Sequence, residues 1–250
     1  MNILLTNDDG IFAPGLAAMY KKLTRFGNVT VVASSDSQSG ASHSITFAQP
    51  LACQKVDIQG QFVGYSVQGS PADCVKLAYM QLHQENIDLV VAGINAGANV
   101  GINVYYSGTV AAAMEGAFLK IPAVAVSLAA EQNMDFDAAA EHAAGILEKI
   151  MPIESGQVIN INIPWLSQNQ PGGIRVVPQS TKGFEEKYIP TRNEHGQTVF
   201  QLAGGQYRDE QNPVDTICLA EGYITVTSLI PDMTHHANTE KLRKIQWQPE

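Results

Sequence analysis

The chain has few cysteines and no apolar stretch long enough to cross a membrane. Its 250 residues include three cysteines, Cys53, Cys74 and Cys218, and no two of them form a CxxC pair. Such a sparse, odd count argues against a disulfide framework and indicates reduced thiols in a reducing compartment. The N-terminus has no basic segment followed by an apolar run. We therefore expect a cytoplasmic protein with no membrane partner.

Basic residues are also scarce. The sequence has 15 Lys and Arg against 24 Asp and Glu, which gives a formal net charge of −9. An acidic surface repels nucleic acid and anionic membranes, so we expect neither as a partner. The composition is 45% hydrophobic and only 16% charged, as in a compact α/β protein rather than a disordered or fibrous one. The length suits one large domain, or one domain with an appendage.

Most of the chain alternates short apolar runs with helical patterns. This alternation predicts an α/β fold with a doubly wound, mostly parallel sheet and right-handed crossovers. An edge hairpin is expected at residues 45–68. The predicted strands are 3–6, 29–33, 88–94, 123–127 and 158–163, and the predicted helices start after Pro14, at Ser70, near Gly108 with an apolar face that includes Phe118, and at Phe136.

The pattern changes after about residue 172. Residues 184–189 and 197–202 flank turn-forming residues and predict a hairpin, with Pro190 ending its first strand. A further strand is expected at 223–228 and a polar helix at 234–244. We therefore predict a catalytic core at 1–182 and an extension at 183–250 within one domain. The extension would serve oligomerisation, and a lid over the site is the alternative.

Two adjacent carboxylates, Asp8 and Asp9, directly follow the first predicted strand. In open α/β sheets, ligands bind beyond the carboxyl ends of the strands. Neighbouring carboxylates repel each other unless one is protonated or a cation lies between them, and a hard divalent metal is the simplest such cation. Considered alone, residues 7–10 are explained equally well as a polar turn.

Three oxygen-rich segments should converge at this edge of the sheet, namely 7–10, 34–44 and 95–109. Ser39 and Asn95 add ligands suited to Mg²⁺ or Mn²⁺, and the near absence of His and Cys from these segments disfavours zinc. None of the three contains Lys or Arg. A phosphate bound there would meet the metal, hydroxyls, backbone N–H groups and His43.

The start of the helix at Ser107-Gly108-Thr109 would favour an anion, because its first N–H groups have no partner within the helix. Each of these features also has a structural explanation. Ser107 is a typical helix cap, and His43 alone is more often a loop histidine with its own partners. Asp73 is predicted to cap the helix that starts at Ser70 rather than to act in catalysis. One assembled site would explain all three segments together.

The same segments resemble the motifs of the SurE (survival protein E) nucleotidase family. The similar stretches occur in order along nearly the whole chain, which argues against chance. They are 3–11 with 13–15, 38–40 with 43–46, 69–75, 93–101, 106–116 and 221–227. The resemblance implies a Rossmann-like core, with a hairpin and tail exchanged between the subunits of a homodimer or homotetramer.

The resemblance also implies a metal-dependent phosphatase of nucleoside 5′- and 3′-monophosphates, in some members acting on short polyphosphate. It implies that Asp8, Asp9, Ser39 and Asn95 hold one divalent ion. Our mechanistic hypothesis gives Asp9 the further task of orienting or deprotonating the attacking water. The phosphate ligands are expected to be Gly40, Ser107, Gly108 and Thr109, with His43 and Asn99 as further candidates.

Two positions depart from the family pattern. Ser37 stands where the family usually has Arg, and Asn103 stands where it usually has Asp. Neither is a proposed ligand, but both could alter loop bracing or turnover. Three alternatives stay open at this point: an aspartyl-phosphate enzyme with Asp8 as nucleophile, a receiver-like signalling module, and a nucleotide sensor without catalysis. A receiver would need an acceptor Asp after its middle strand, where this chain has Asn95.

Overall fold

The structure is a computed structural model that describes residues 1–82, 85–167, 170–182, 187–203, 213–245 and 247. The strands are β1 (Asn2–Thr6), β2 (Asn28–Ser34), β3 (Cys53–Ile58), β4 (Phe62–Val67), β5 (Leu89–Ala96), β6 (Ala123–Leu128), β7 (Val158–Ile163), β8 (Ile174–Val176), β9 (Lys187–Arg192), β10 (Thr198–Ala203) and β11 (Ile224–Leu229). The helices are α1 (Pro14–Leu23), α2 (Pro71–Leu77) with a π-helical continuation (Ala78–Leu82), α3 (Gly108–Phe118), α4 (Phe136–Ile150), α5 (Asp215–Ala220) and α6 (His236–Arg243), and a 3₁₀ turn covers Gly101–Tyr105.

Nine strands form one sheet in the order β3-β4-β2-β1-β5-β6-β7-β11-β8. β1 lies between β2 and β5 and is parallel to both. The run β5, β6, β7 is also parallel, whereas β3 and β11 pair antiparallel with β4 and β7. The predicted mostly parallel α/β fold is therefore confirmed, and so is the edge hairpin, which is formed by β3 and β4.

The sheet is buried on both faces because helices cover each side. Ile3 and Leu5 of β1 pack with α1 and α4, while Leu4 packs with α2 and α3 on the opposite face. This alternation is the two-residue period of a strand, and it explains why the run is apolar throughout. Burying each such side chain contributes about 1.5–3 kcal/mol. The first strand is thus fixed at the centre of the core.

Two expectations about the chain were wrong. Phe118 does not belong to the buried face of α3, since 51% of its surface is exposed. It lies at the end of the helix, where a histidine ring stacks on it. Pro190 does not end its strand but lies within β9, opposite Phe200. A two-stranded ribbon leaves one edge of each strand unpaired, so it tolerates the missing N–H.

The sequence patterns did not reveal β8 or α5. β8 has three residues and α5 has six, which is too short for an apolar period to be recognised. The predicted beginning of the hairpin at 184–186 lies outside the described residues. Across the described ranges, no helix combines the length and the apolar character needed to cross a membrane.

Gly15 permits the close contact between α1 and β5, and this predicts opposite effects for two Gly→Ala substitutions. A Cβ at Gly15 would lie 2.1 Å from the carbonyl oxygen of Ile94, whereas a Cβ at Gly145 in α4 would meet nothing within 4 Å. We expect Gly15→Ala to lower the free energy of unfolding by about 1–3 kcal/mol, because backbone must move. Gly145→Ala should raise it by about 0.5–1 kcal/mol. Equal stability of the two variants in urea denaturation would contradict this packing.

Candidate metal and phosphate site

Hydrogen bonds join the first segment of the site to the other two. The backbone N–H of Gln38 donates to the carbonyl of Asp8 at 2.7 Å, which attaches the loop after β2. The N–H of Ala96, at the end of β5, donates to Oδ2 of Asp9 at 2.8 Å. β1 and β5 are neighbours in the sheet, so their carboxyl ends bring these groups together. The predicted convergence at this edge is therefore present in the structure.

The third segment is attached to the second by Ser42. Its hydroxyl donates to the carbonyl of Tyr105 at 2.7 Å, and its backbone N–H donates to the carbonyl of Tyr106 at 3.1 Å. These two residues directly precede the first turn of α3. The loop after β2 thus extends from Asp8 across the beginning of α3.

Asp8 is buried against the first turn of α3, with 4% of its surface exposed. Its Oδ1 accepts a hydrogen bond from the hydroxyl of Thr109. A Cβ on Gly108 would lie 2.9 Å from the Cβ of Asp8, so only glycine permits this approach. Burial raises the pKa of Asp8, and the charge of Asp9 adds to that rise, although the hydrogen bond from Thr109 opposes it. The net effect disfavours the carboxylate form of Asp8 relative to that of an exposed aspartate.

Asp9 is half-buried and faces the same edge. Burial raises its pKa as well, opposed only in part by the hydrogen bond from Ala96. Within the described ranges, neither Asp8 nor Asp9 forms a salt bridge. A bound cation would supply the charge that the neighbouring side chains do not.

A buried glutamate elsewhere on α3 provides an internal comparison. Glu115 is 3% exposed, but Lys76 and His43 contact its two carboxylate oxygens at 2.7 and 2.9 Å. Burial raises the pKa of Glu115, yet the hydrogen bonds from His43 and Lys76 outweigh that effect and hold its pKa below the usual range. Glu115 therefore has a lysine cation and an imidazole as partners, whereas no cationic side chain among the described residues contacts Asp8.

Ser39 and Asn95 are each one residue away from a backbone N–H that donates to the acidic pair. Ser39 follows Gln38, and its hydroxyl is 3.1 Å from the hydroxyl of Ser37. The amide nitrogen of Asn95 donates to the carbonyl of Gly97 at 2.6 Å, which leaves the amide oxygen available as a ligand. With Asp8 and Asp9 these are hard oxygen donors, the kind that Mg²⁺ and Mn²⁺ prefer. Among the described residues, no group of three or more His, Cys, Asp or Glu is arranged for a metal ion.

At the start of α3 the side-chain hydroxyls have structural partners, so an anion would be bound by backbone N–H groups. Ser107 is the cap residue, whose hydroxyl accepts from the N–H of Val110 at 3.0 Å. Thr109 donates to Asp8, as described above. The backbone N–H of Thr109 also interacts with the Asp8 carboxylate, so the N–H of Gly108 is the donor of this turn that faces a phosphate most freely. Gly40, in the neighbouring loop, has a φ of 74°, which is the left-handed conformation that favours glycine.

His43 and Asn99 have partners away from this centre. Nε2 of His43 contacts Glu115, which is seven residues beyond Gly108 and hence about 10 Å along the helix. The side chain of Asn99 donates to Ser127 at 2.9 Å, and its backbone is bonded to Asn162. The structure therefore brings the four predicted ligands and the start of α3 to one edge, with His43 about two turns away.

Several supporting residues were not predicted as part of the site. Asn162 accepts from the backbone N–H of Asn99 at 2.7 Å and donates to its carbonyl at 3.2 Å. Asp215 of α5 accepts from the N–H of Gly101 at 2.9 Å. Asn160 and Asn162 alternate with apolar residues in β7, and such polar residues in a buried strand were a signal that could have been used.

Asp73 has the structural role predicted for it. The hydroxyl of Ser70 accepts from the N–H of Asp73 at 3.0 Å, and the carboxylate of Asp73 accepts from the N–H of Ser70 at 2.9 Å. This is a capping box. The same carboxylate also accepts from the N–H and hydroxyl of Thr46, at 3.0 and 2.7 Å. Asp73 therefore holds the far end of the loop after β2.

The fold and this edge define a Rossmann-like α/β protein with an acidic pair at the carboxyl ends of its parallel strands. Comparison with known proteins identifies the family within this class. The family model for survival protein SurE matches residues 3–186. The chain belongs to the SurE family, as its motifs predicted.

Individual relatives are similar over nearly the full length. The 5′-nucleotidase SurE of Lawsonia intracellularis is 42% identical over 248 residues, which is 98% of each sequence. The 5′-nucleotidase SurE of Syntrophobacter fumaroxidans is 39% identical over 247 residues, covering 98% of this chain and 99% of its own. The crystal structure of the SurE protein from Aquifex aeolicus has a TM-score of 0.84 and 34% identity, covering 97% of this chain and 98% of that one.

Proposed function

We propose that this protein is a metal-dependent phosphatase that hydrolyses nucleoside 5′- and 3′-monophosphates to nucleoside and phosphate. One divalent ion, Mg²⁺ or Mn²⁺, is held by Asp8, Asp9, Ser39 and Asn95. The observation that carries the proposal is the acidic pair packed against the start of α3 without a cationic side chain among the described residues. The names of the curated relatives support the nucleotide as substrate.

The proposed division of labour follows from the surroundings of each group. When bound, a divalent ion supplies Lewis-acid polarisation of the phosphoryl group and acidifies a water molecule in its shell. The N–H of Gly108, together with that of Thr109, which is shared with Asp8, binds the phosphoryl oxygens and stabilises the charge that develops on them. Asp8 is immobilised by burial and by Thr109, which suits a ligand that fixes the position of the ion.

Asp9 is the better candidate for the carboxylate that orients or deprotonates the attacking water. One of its oxygens accepts from Ala96, and the side chain is less buried than that of Asp8. A half-exposed carboxylate can reach a water molecule that approaches from the open side of the site, whereas Asp8 is enclosed. The enclosure of Asp8 also disfavours the covalent alternative, since its Oδ1 is bonded to Thr109 and its Cβ contacts Gly108.

Turnover separates the enzyme from a nucleotide sensor with the same pocket. We expect phosphate release from a panel of nucleoside 5′- and 3′-monophosphates in the presence of Mg²⁺ or Mn²⁺, and loss of release after chelation. Short polyphosphate in the same panel tests that additional substrate. Binding of nucleotides with no metal-dependent release from any of them would favour the sensor and refute the proposed activity.

Asp9→Asn tests the role assigned to that carboxylate. Asparagine retains the shape but cannot accept a proton, so we expect kcat to fall by about 10²–10⁴. The matched control is Asp36→Asn, which makes the same change at an exposed residue of the neighbouring loop and should leave kcat within about twofold. Full turnover together with full metal affinity in Asp9→Asn would refute the assignment.

We further propose that the protein assembles as a homodimer or homotetramer through its C-terminal extension. Every residue of β9 is exposed, and an isolated two-stranded ribbon is marginally stable in water. Strand alternation places Tyr188, Pro190, Phe200 and Leu202 on one face of the ribbon. Helix α6 has no buried residue. Apolar surface of this kind is typical of a subunit interface.

Two neighbouring residues of β10 test this interface. Phe200→Asp places a charge on the apolar face, whereas Gln201→Asp places it on the opposite face. We expect the wild type and Gln201→Asp to have the same mass in light scattering, a multiple of the 26.9 kDa chain. Phe200→Asp should have a lower mass with an unchanged circular dichroism spectrum. A monomeric wild type, or equal masses for both variants, would contradict the proposal.

A further inference from the structure

Glu115 contacts two separate parts of the chain from the third turn of α3. Its Oε2 is 2.9 Å from Nε2 of His43, and its Oε1 is 2.7 Å from Nζ of Lys76 on α2. The imidazole of His43 also stacks on the ring of Phe118, with centroids 5.3 Å apart and planes inclined by 17°. His43 is therefore fixed through both its edge and its face. Nothing in the proposed reaction uses any of these groups.

The segment that carries His43 needs such attachment. Residues 35–52 contain neither helix nor strand, yet they include the proposed ligand Ser39. The near end of the segment is bonded to Asp8 through Gln38, and the middle is bonded to the chain before α3 through Ser42. His43 provides the next attachment, four residues beyond Ser39. The position of a hydroxyl ligand on such a segment depends on these contacts.

α3 connects the two attachments because it is a rigid element. Its first residue, Gly108, packs directly on Asp8, and Glu115 follows seven residues later. The helix thus fixes the distance between the acidic pair and His43 at about two turns. Holding His43 at Glu115 therefore keeps the loop extended across the start of α3, with Ser39 next to the residue that is bonded to Asp8.

The geometry points to Glu115 and His43 as positioning residues that hold the loop carrying Ser39 in place for metal binding. Neither touches the ion or the phosphate. Lys76 is the second partner of Glu115, but among the described residues it has no hydrogen bond or ion pair to the loop itself; α2 holds the far end of the loop through Asp73 instead. This inference deepens the proposed function, because it rests on Ser39 being a metal ligand. The mobility of the loop, however, can be measured without any metal.

The test uses three variants of the full-length protein. His43→Ala removes the attachment, and His43→Gln keeps a donor where Nε2 stood. Lys76→Met removes the other contact of Glu115 and serves as the matched control. Hydrogen exchange of the peptide spanning 38–46 is measured on the metal-free protein, since the N–H of Ser42 is bonded to the carbonyl of Tyr106. The affinity for Mn²⁺ is measured by titration without substrate, and kcat at saturating Mn²⁺.

For His43→Ala we expect exchange of this peptide to be about tenfold faster and Mn²⁺ to bind about tenfold more weakly, as for loss of one charge-assisted hydrogen bond. Saturating Mn²⁺ should restore kcat to within about twofold, because affinity and not chemistry is affected. His43→Gln should recover both quantities. Lys76→Met should leave both within about twofold.

Two results would overturn the inference. One is unchanged exchange and Mn²⁺ affinity in His43→Ala. The other is an equal loss of affinity in Lys76→Met, which would indicate a general effect on Glu115 or on helix packing. Glu115→Ala, with its melting temperature recorded, should reproduce His43→Ala in exchange. If the wild type binds no Mn²⁺, the proposed function fails, but faster exchange in His43→Ala would still establish the attachment.

Discussion

The contact between Asp8 and the first turn of α3 is the constraint on which the rest of the site depends. β1 delivers Asp8 to the edge of the sheet, and the absence of a side chain at Gly108 lets the helix approach it. Burying a carboxylate without a cation is costly, so the arrangement is stable only if the charge is neutralised. Glu115, on the same helix, meets that requirement with the cation of Lys76 and accepts a further hydrogen bond from His43. For Asp8, the divalent ion that we propose would meet it.

Residues outside the centre hold the segment between β5 and α3 in place. The amide of Asn162 bonds to the N–H and carbonyl of Asn99, much as a neighbouring strand would. Asp215 and Gln179 bond to the N–H and carbonyl of Gly101 in the same way. These supporting groups come from the second half of the chain. The second half of the chain therefore contributes to the order of the site as well as to the core.

Sequence patterns predicted what depends on local periodicity. β7 has the predicted bounds because it is a short, mainly apolar run, and α4 begins at the predicted residue because it has a regular amphipathic period. β8 and α5 escaped recognition because each is shorter than any period that could identify it. Pro190 was misjudged because the tolerance of a strand for proline depends on which of its edges is paired. That information is tertiary.

The sequence predicted which segments form the candidate site but not how their side chains pack. The convergence of the three segments follows from a topological rule, and their motifs identified the family. The different surroundings of Asp8 and Asp9 could not be read from adjacent residues, since they arise from the packing of α3 and the end of β5. The position of His43 likewise depends on how far along α3 its loop extends. Such distances are set by packing between elements that are distant in sequence.

The most direct test of the account is to measure the stoichiometry and affinity of Mn²⁺ binding in the absence of nucleotide. Binding is monitored by the electron paramagnetic resonance signal of the free ion. The account predicts one ion per chain in the wild type. In Asp8→Asn, which removes the buried charge but keeps the shape, it predicts that binding weakens by at least about tenfold while the protein remains folded. Binding of Mn²⁺ to Asp8→Asn with wild-type affinity would contradict the central claim that this buried carboxylate is paired with a metal ion.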